Sequence, residues 1–113
     1  MQQLVERIHA LSPSIRYVAV YQRGALMSSV TPALANASSA ESDKYEELIV
    51  NPTLLTLLSQ RGDIDCGGLQ FVLIRYGSFF EYVVRIDEGH LSVGIAPDAD
   101  VMAVVAAIVS VTG

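Results

Sequence analysis

Along the chain the spacing of apolar residues alternates between helical and strand periods, in the order helix, two strands, helix, three strands, helix. Leu4, Val5, Ile8 and Leu11 fall on one helical face, with Gln2, Gln3, Glu6 and Arg7 on the rest. This predicts a short amphipathic helix that ends before Pro13. From Ile15 to Gln22 the residues are β-branched and aromatic, and Tyr17-Val18-Ala19-Val20 is apolar on both faces, as in a strand covered on both sides. Arg23-Gly24 supplies a tight turn, and Ala25 to Val30 returns as a second strand.

Residues 31–41 (TPALANASSAE) are small and polar and read as a flexible connection in which Ser38 and Glu41 have the spacing of a capping box. A helix then follows from about 41 to 60, with Tyr45, Leu48 and Ile49 on one face and Asp43, Glu46 and Glu47 away from it. Proline removes a backbone donor but fits a first helical position, so Asn51-Pro52 reads as a cap and restart within a kinked or two-piece helix. The second half carries Leu54, Leu55, Leu57 and Leu58, a stripe too wide for one contact.

Gly62 to Gly68 is rich in turn residues, and three strands follow it: Leu69 to Tyr76, Phe79 to Ile86 and His90 to Ala96. The connection Gly77-Ser78 suits a type II′ turn, and Asp87-Glu88-Gly89 forms the next one. A two-residue loop at Gly77-Ser78 pairs Leu69 with Ile86, Phe71 with Val84, Leu73 with Tyr82 and Arg75 with Phe80 on a core face. It puts Gln70/Arg85, Val72/Val83, Ile74/Glu81 and Tyr76/Phe79 on a mixed face. Pro97 ends the last strand, Asp98 can cap, and Val101, Val104, Val105 and Ile108 form the stripe of a closing helix. That helix is uncharged throughout, so either the first helix packs beside it on the same sheet face or part of it meets another chain.

Composition bounds the picture. A chain of 113 residues, 51% hydrophobic, buries one core, so one domain over 1–113 is expected. With 12 acidic and 7 basic side chains the net charge is near -5, the wrong sign for binding nucleic acid or an anionic membrane surface. Cys66 is the single cysteine, and the N-terminus lacks the basic start and long apolar run of a secretory signal, so a cytoplasmic address is expected. The uncharged run Val101 to Gly113 is shorter than the ~20 residues needed to cross a bilayer, and no membrane span is predicted.

The layout α-β-β-α-β-β-β-α resembles the Roadblock/LC7 family. The resemblance is carried by LVERIHAL leading through Pro13 into IRYVAVYQRG, by the long middle helix ending at QRG, and by the strands GLQFVLIRYG, FFEYVVRI and HLSVGIA before an apolar C-terminal helix. It implies an α+β fold, a two-sided sandwich with a five-stranded antiparallel sheet, the middle helix on one face and the terminal helices on the other. It also implies dimers formed through the middle helix and the third strand, as a homodimer or a heterodimer with a related chain. Many members of that family regulate or tether small Ras-like GTPases or act as adaptors. The interface residues expected on this reading are Leu48, Leu54, Leu55, Leu58, Leu69, Gln70, Val72 and Ile74. The leucine excess of the helix and the apolar strand edge after Gly67-Gly68 point the same way.

Candidate chemistry is sparse. Cys66 could act as a nucleophile only with a base beside it, and nothing ties His9 or His90 to it, so a packed or incidental thiol is expected. His90 next to Glu88 reads as an exposed hairpin end. Asp63, Asp65, Asp87 and Glu88 lie in separate turns without calcium-loop spacing and read as solvated. Arg61 reads as a cation at a helix C-terminus rather than an arginine finger. No catalytic residue, metal or cofactor is therefore predicted. The function expected is a non-catalytic dimerisation and interaction module serving a small GTPase or a larger complex. The alternative is a small-ligand sensor of PAS or profilin-like type, which would need a cavity between sheet and helix where filled packing is expected.

Overall fold

The computed structural model describes residues 1–31 and 40–112. The elements are α1 (Gln2–His9), β1 (Ile15–Gln22), β2 (Ala25–Val30), α2 (Ala40–Tyr45), a π-helical turn (Glu46–Val50), α3 (Asn51–Asp65), β3 (Val72–Arg75), β4 (Phe80–Ile86), β5 (Gly89–Ile95) and α4 (Val101–Thr112). The strands form one antiparallel sheet in the order β2-β1-β5-β4-β3. This is the α+β architecture expected, with β1 inside the sheet and β2 and β3 at its edges.

Strand alternation divides the sheet into two unlike faces. On the first, Val18 and Val20 of β1, Tyr82 of β4, and Leu91, Val93 and Ile95 of β5 are buried with Val5 and Ile8 of α1 and Val104, Val105 and Ile108 of α4. Both terminal helices therefore share this face, and the uncharged α4 buries its predicted stripe there. The β3–β4 register is as derived, Val72↔Val83, Leu73↔Tyr82, Ile74↔Glu81 and Arg75↔Phe80, with Phe71, Leu73 and Val84 packed against the core. The Tyr76 amide bonds to the Phe79 carbonyl and closes the two-residue loop, yet Gly77 does not take the positive φ of a type II′ turn. Register there follows from the hydrophobic pattern and loop length and does not need the glycine.

Other boundaries move for identifiable reasons. β3 is shorter than Leu69 to Tyr76, because residues before Val72 leave the ladder. Helix α3 runs on through Gly62 to Asp65, where Gly62 is needed for close approach: a Cβ there would lie 3.1 Å from the backbone of Gly68 and Leu69. At α4 the Ala103 amide reaches the Asp100 carboxylate (3.4 Å), so Asp100 caps and not Asp98. The capping box at Ser38 lies outside the described residues, as does most of the 31–41 connection.

The Asn51-Pro52 break is the largest correction. Val50 and Asn51 both have helical dihedrals and the helix passes through Pro52 unbroken. Proline lacks the N–H of an i→i−4 bond and its ring crowds the carbonyl four residues back. Here the preceding turn widens to a π-helix, in which the Asn51 amide bonds to the Glu46 carbonyl. Asn51 is thus an interior helical residue and caps nothing.

Gly89 pairs with Gln22 on one side and Ile86 on the other, and a Cβ there would collide with the Tyr21 carbonyl and lie 2.8 Å from Gln22 Cα. Gly89→Ala is expected to cost more than ~2 kcal/mol in urea unfolding, as a forced backbone shift in a central strand does. Gly77→Ala, with nothing within 4 Å of the new methyl, is expected to cost under ~1 kcal/mol.

Candidate functional site

The second sheet face, under the middle helix (α2, the π turn and α3), carries a layer of polar side chains. Glu47 is 0% exposed. Its Oε2 accepts from Tyr17 of β1 (2.9 Å), and its Oε1 accepts from the Asn51 amide one turn on (3.0 Å) and lies 2.8 Å from His90 Nε2 of β5. The next-door Glu46 accepts from the Tyr76 hydroxyl at 2.8 Å. In an ordinary α-helix neighbouring residues diverge by about 100°; here both glutamates, in the widened turn, bond to the sheet side. Glu81 of β4, also buried, bonds to Ser92 of β5.

The electrostatics follow from burial. Burial first, and then the charges of Glu47, Glu46 and Asp43, push the Glu81 carboxyl up to about 8 against the lowering effect of the Ser92 hydrogen bond. Glu46 is also raised, by burial above all, although its bond from Tyr76 pulls the other way. Burial and the adjacent Glu47 hold the Tyr17 phenol well above its ordinary range, and burial with Glu46 takes Tyr76 to about 12. Both phenols remain donors at neutral pH. Two buried oxygens, Glu46 Oε2 and Asn51 Oδ1, have no hydrogen-bond partner among the described residues.

Packing between this face and the helix is not filled. A cavity of about 350 Å³ lies there, with Tyr17, Glu81 and Gly94 on the strand side, Phe79 from the β3–β4 loop, and Glu46 and Glu47 on the helix side. Among the described residues no group of three or more His, Cys, Asp or Glu side chains could hold a metal ion, and no helix is long and apolar enough to cross a membrane.

His90 is therefore not an exposed hairpin end, and its partner is Glu47 and not Glu88. Glu88 and Asp87 both pair with Arg23 on the surface. Arg61 pairs with Asp65 at the exposed end of α3 (2.6 Å), which holds the Asp65 carboxyl below its usual range. Cys66 is exposed with its thiol at Asp65, while His9 meets the Ser29 carbonyl and His90 is committed to Glu47. The pair Glu47 and His90 escaped the sequence because 43 positions separate them. A signal existed: Ser92 lies between Leu91 and Val93, His90 precedes Leu91, and Glu81 lies between Phe80 and Tyr82, which marks one sheet face as polar.

With its polar side against the sheet, the middle helix turns its apolar side outward. Tyr45, Leu48, Ile49, Leu57, Leu58 and Ile64 are all exposed, Ile49 by 53% and Ile64 by 76%. Of the expected interface residues, Leu48 and Leu58 lie on this surface. Leu54, Leu69, Val72 and Ile74 are half-buried, and Gln70 is exposed. Leu55, at 3% exposure, is buried within the chain's own fold and, contrary to expectation, is not available to a partner. The helix is tied to both ends of the β3 segment, by Gly62 against Gly68-Leu69 and by Glu46 to Tyr76.

The same arrangement occurs in a known structure. The crystal structure of a Roadblock/LC7 domain from Streptomyces avermitilis superposes with a TM-score of 0.74, over 99% of this chain and 91% of that one, at 14% identity. This chain has the Roadblock/LC7 fold. No family model matches the sequence, and no curated protein matches it. At such low identity the likeness is one of fold, so the polar layer under the middle helix is described for this chain alone.

Glu47→Ala removes the acceptor shared by Tyr17, Asn51 and His90 and is expected to cost ~3–5 kcal/mol in urea unfolding, as removing one partner of a buried pair does. Glu47→Gln, which keeps an acceptor oxygen, is expected to cost less. A loss under ~1 kcal/mol for Glu47→Ala would show that the layer does not hold the helix.

Proposed function

We propose that this chain is a non-catalytic interaction module of one domain, acting in the cytoplasm, that associates through the outer face of its middle helix and the open edge of β3. The observation that carries this reading is the helix orientation. An apolar stripe from Tyr45 through Leu48, Ile49 and Leu57 to Ile64 faces outward because the polar side is used against the sheet. Contiguous exposed apolar surface of this kind marks a protein contact. β3 lies at the sheet edge, where unpaired backbone groups accept a further strand.

The occupant we favour is a second copy, or a related chain, arranged about a twofold axis so that the same patch serves both sides. Leu48, Leu54, Leu58, Leu69, Gln70, Val72 and Ile74 would contribute, burying more than ~1,000 Å² in total. The likeness to the Roadblock/LC7 fold supports a further role, regulation or tethering of a small Ras-like GTPase or of a larger complex. A second reading, a small-ligand sensor, is favoured by the cavity between sheet and helix.

Sedimentation equilibrium tests association. A dimer of the 12.2 kDa chain is expected at micromolar concentration, and Leu48→Asp with Ile49→Asp, both at exposed positions, is expected to yield a folded monomer. A wild-type monomer at high concentration would remove the reading, and a dimer indifferent to both substitutions would move the contact off the helix.

A further inference from the structure

One buried group under the middle helix does more than hold it. Glu81 is 1% exposed and lies at the cavity between sheet and helix, hydrogen-bonded to Ser92. From the helix Asp43, Glu46 and Glu47 act on it electrostatically. From the sheet it is accompanied by the Tyr17 hydroxyl of β1 and by His90 and Ser92 of β5, and Tyr76 beyond β3 is bound to Glu46. Among the described residues no ion pair neutralises it: Arg16, which lines the same cavity from β1, makes none, and the His90 ring is bound to Glu47. An ionised carboxylate in this position faces like charges in a medium that screens them poorly.

We propose that Glu81 is a proton-operated latch: protonated, it lets the middle helix settle on the sheet, and ionised, it repels the helix carboxylates and raises the fraction of molecules in which the helix lifts away. The inference deepens the association reading and rests on it for its consequence, because the same helix carries the outward apolar face. The direction of the shift agrees with the geometry. The docked state raises Glu81 above the ordinary glutamate value of 4.5, to about 8, so it binds the proton more tightly than the lifted state does. Docking is then strongest below pH 4.5, weakens as pH rises towards 8, and changes no further above it. Glu46, raised in the same direction, adds to the trend.

Amide hydrogen exchange, followed between pH ~5 and ~8 and corrected for intrinsic chemistry, tests this with α4 as the internal reference. The opening equilibrium of the middle-helix amides is expected to rise about tenfold per pH unit relative to that of α4, and Glu81→Gln, a neutral mimic of the protonated acid, is expected to flatten the slope. An equal slope in α4 would overturn the latch, and so would an unchanged slope in Glu81→Gln. If that variant does not fold, the wild-type carboxyl titrated by carbon NMR decides: a midpoint above pH ~6 supports the latch and one at or below it overturns it. Sedimentation over the same pH range separates the two claims. A monomer throughout defeats the association reading while leaving the exchange result to judge the latch.

Discussion

Three donors converge on the Glu47 carboxylate, and their directions fix how the middle helix lies on the sheet. Burial of apolar area has no directionality of its own and would by itself favour turning the Tyr45, Leu48 and Ile49 side inward. Hydrogen bonds weaken steeply as they bend. With Tyr17 on β1, His90 on β5 and Asn51 one turn along the helix, a modest rotation would break at least one bond and leave a buried polar group without its partner. The gain in net stability is small, since desolvation offsets most of the attraction. What the arrangement supplies is a single rotation, and that rotation decides which side chains the rest of the molecule sees.

The two faces of the sheet divide the work. The face under α1 and α4 is an apolar core of Val, Ile and Leu side chains with Tyr82, and it carries most of the hydrophobic stabilisation. The face under the middle helix is small and polar at Gly94, Ser92 and His90, and it leaves a cavity. The first face thus supplies most of the stability, and the second seats the middle helix through Tyr17 and His90. The π turn belongs to this second function, since it absorbs Pro52 and accompanies the sheet-side bonds of both Glu46 and Glu47.

Periodicity made the first face legible and left the second obscure. Alternation in Leu69–Tyr76 and Phe79–Ile86 was enough for the hairpin register, and the stripe on α4 was enough for its burial, because both depend on neighbours close in sequence. The bonds that tie the middle helix to the sheet side join residues 30 to 43 apart, and no local pattern reports them. A helical wheel shows that residues 45–58 have an apolar side, but not which side faces the sheet. The alternation of His90 and Ser92 with Leu91 and Val93, and of Glu81 with Phe80 and Tyr82, hints at the answer. Asn51-Pro52 misled for a related reason: the cap rule assumes that a helix ends where its hydrogen bond is lost, whereas a helix pinned by Glu47 and Asn51 widens instead.

That pinning also sets the middle helix beside the β3 edge. β2 is the longer edge, yet the sheet-side partners of Glu46 and Glu47 are Tyr17 of β1, His90 of β5 and Tyr76 just after β3. Gly62 meets the backbone just before β3, and Glu46 reaches Tyr76 just after it, so the outer apolar stripe runs beside that edge. Antiparallel pairing of β3 with its own copy places the twofold axis perpendicular to the sheet, which keeps both middle helices on the same side of the extended sheet. Four residues of β3 supply few ladder bonds. In a dimer of the proposed kind the affinity would then come from Leu48, Ile49 and their neighbours meeting across the axis, and anything that changed the seat of the helix would change that contact directly.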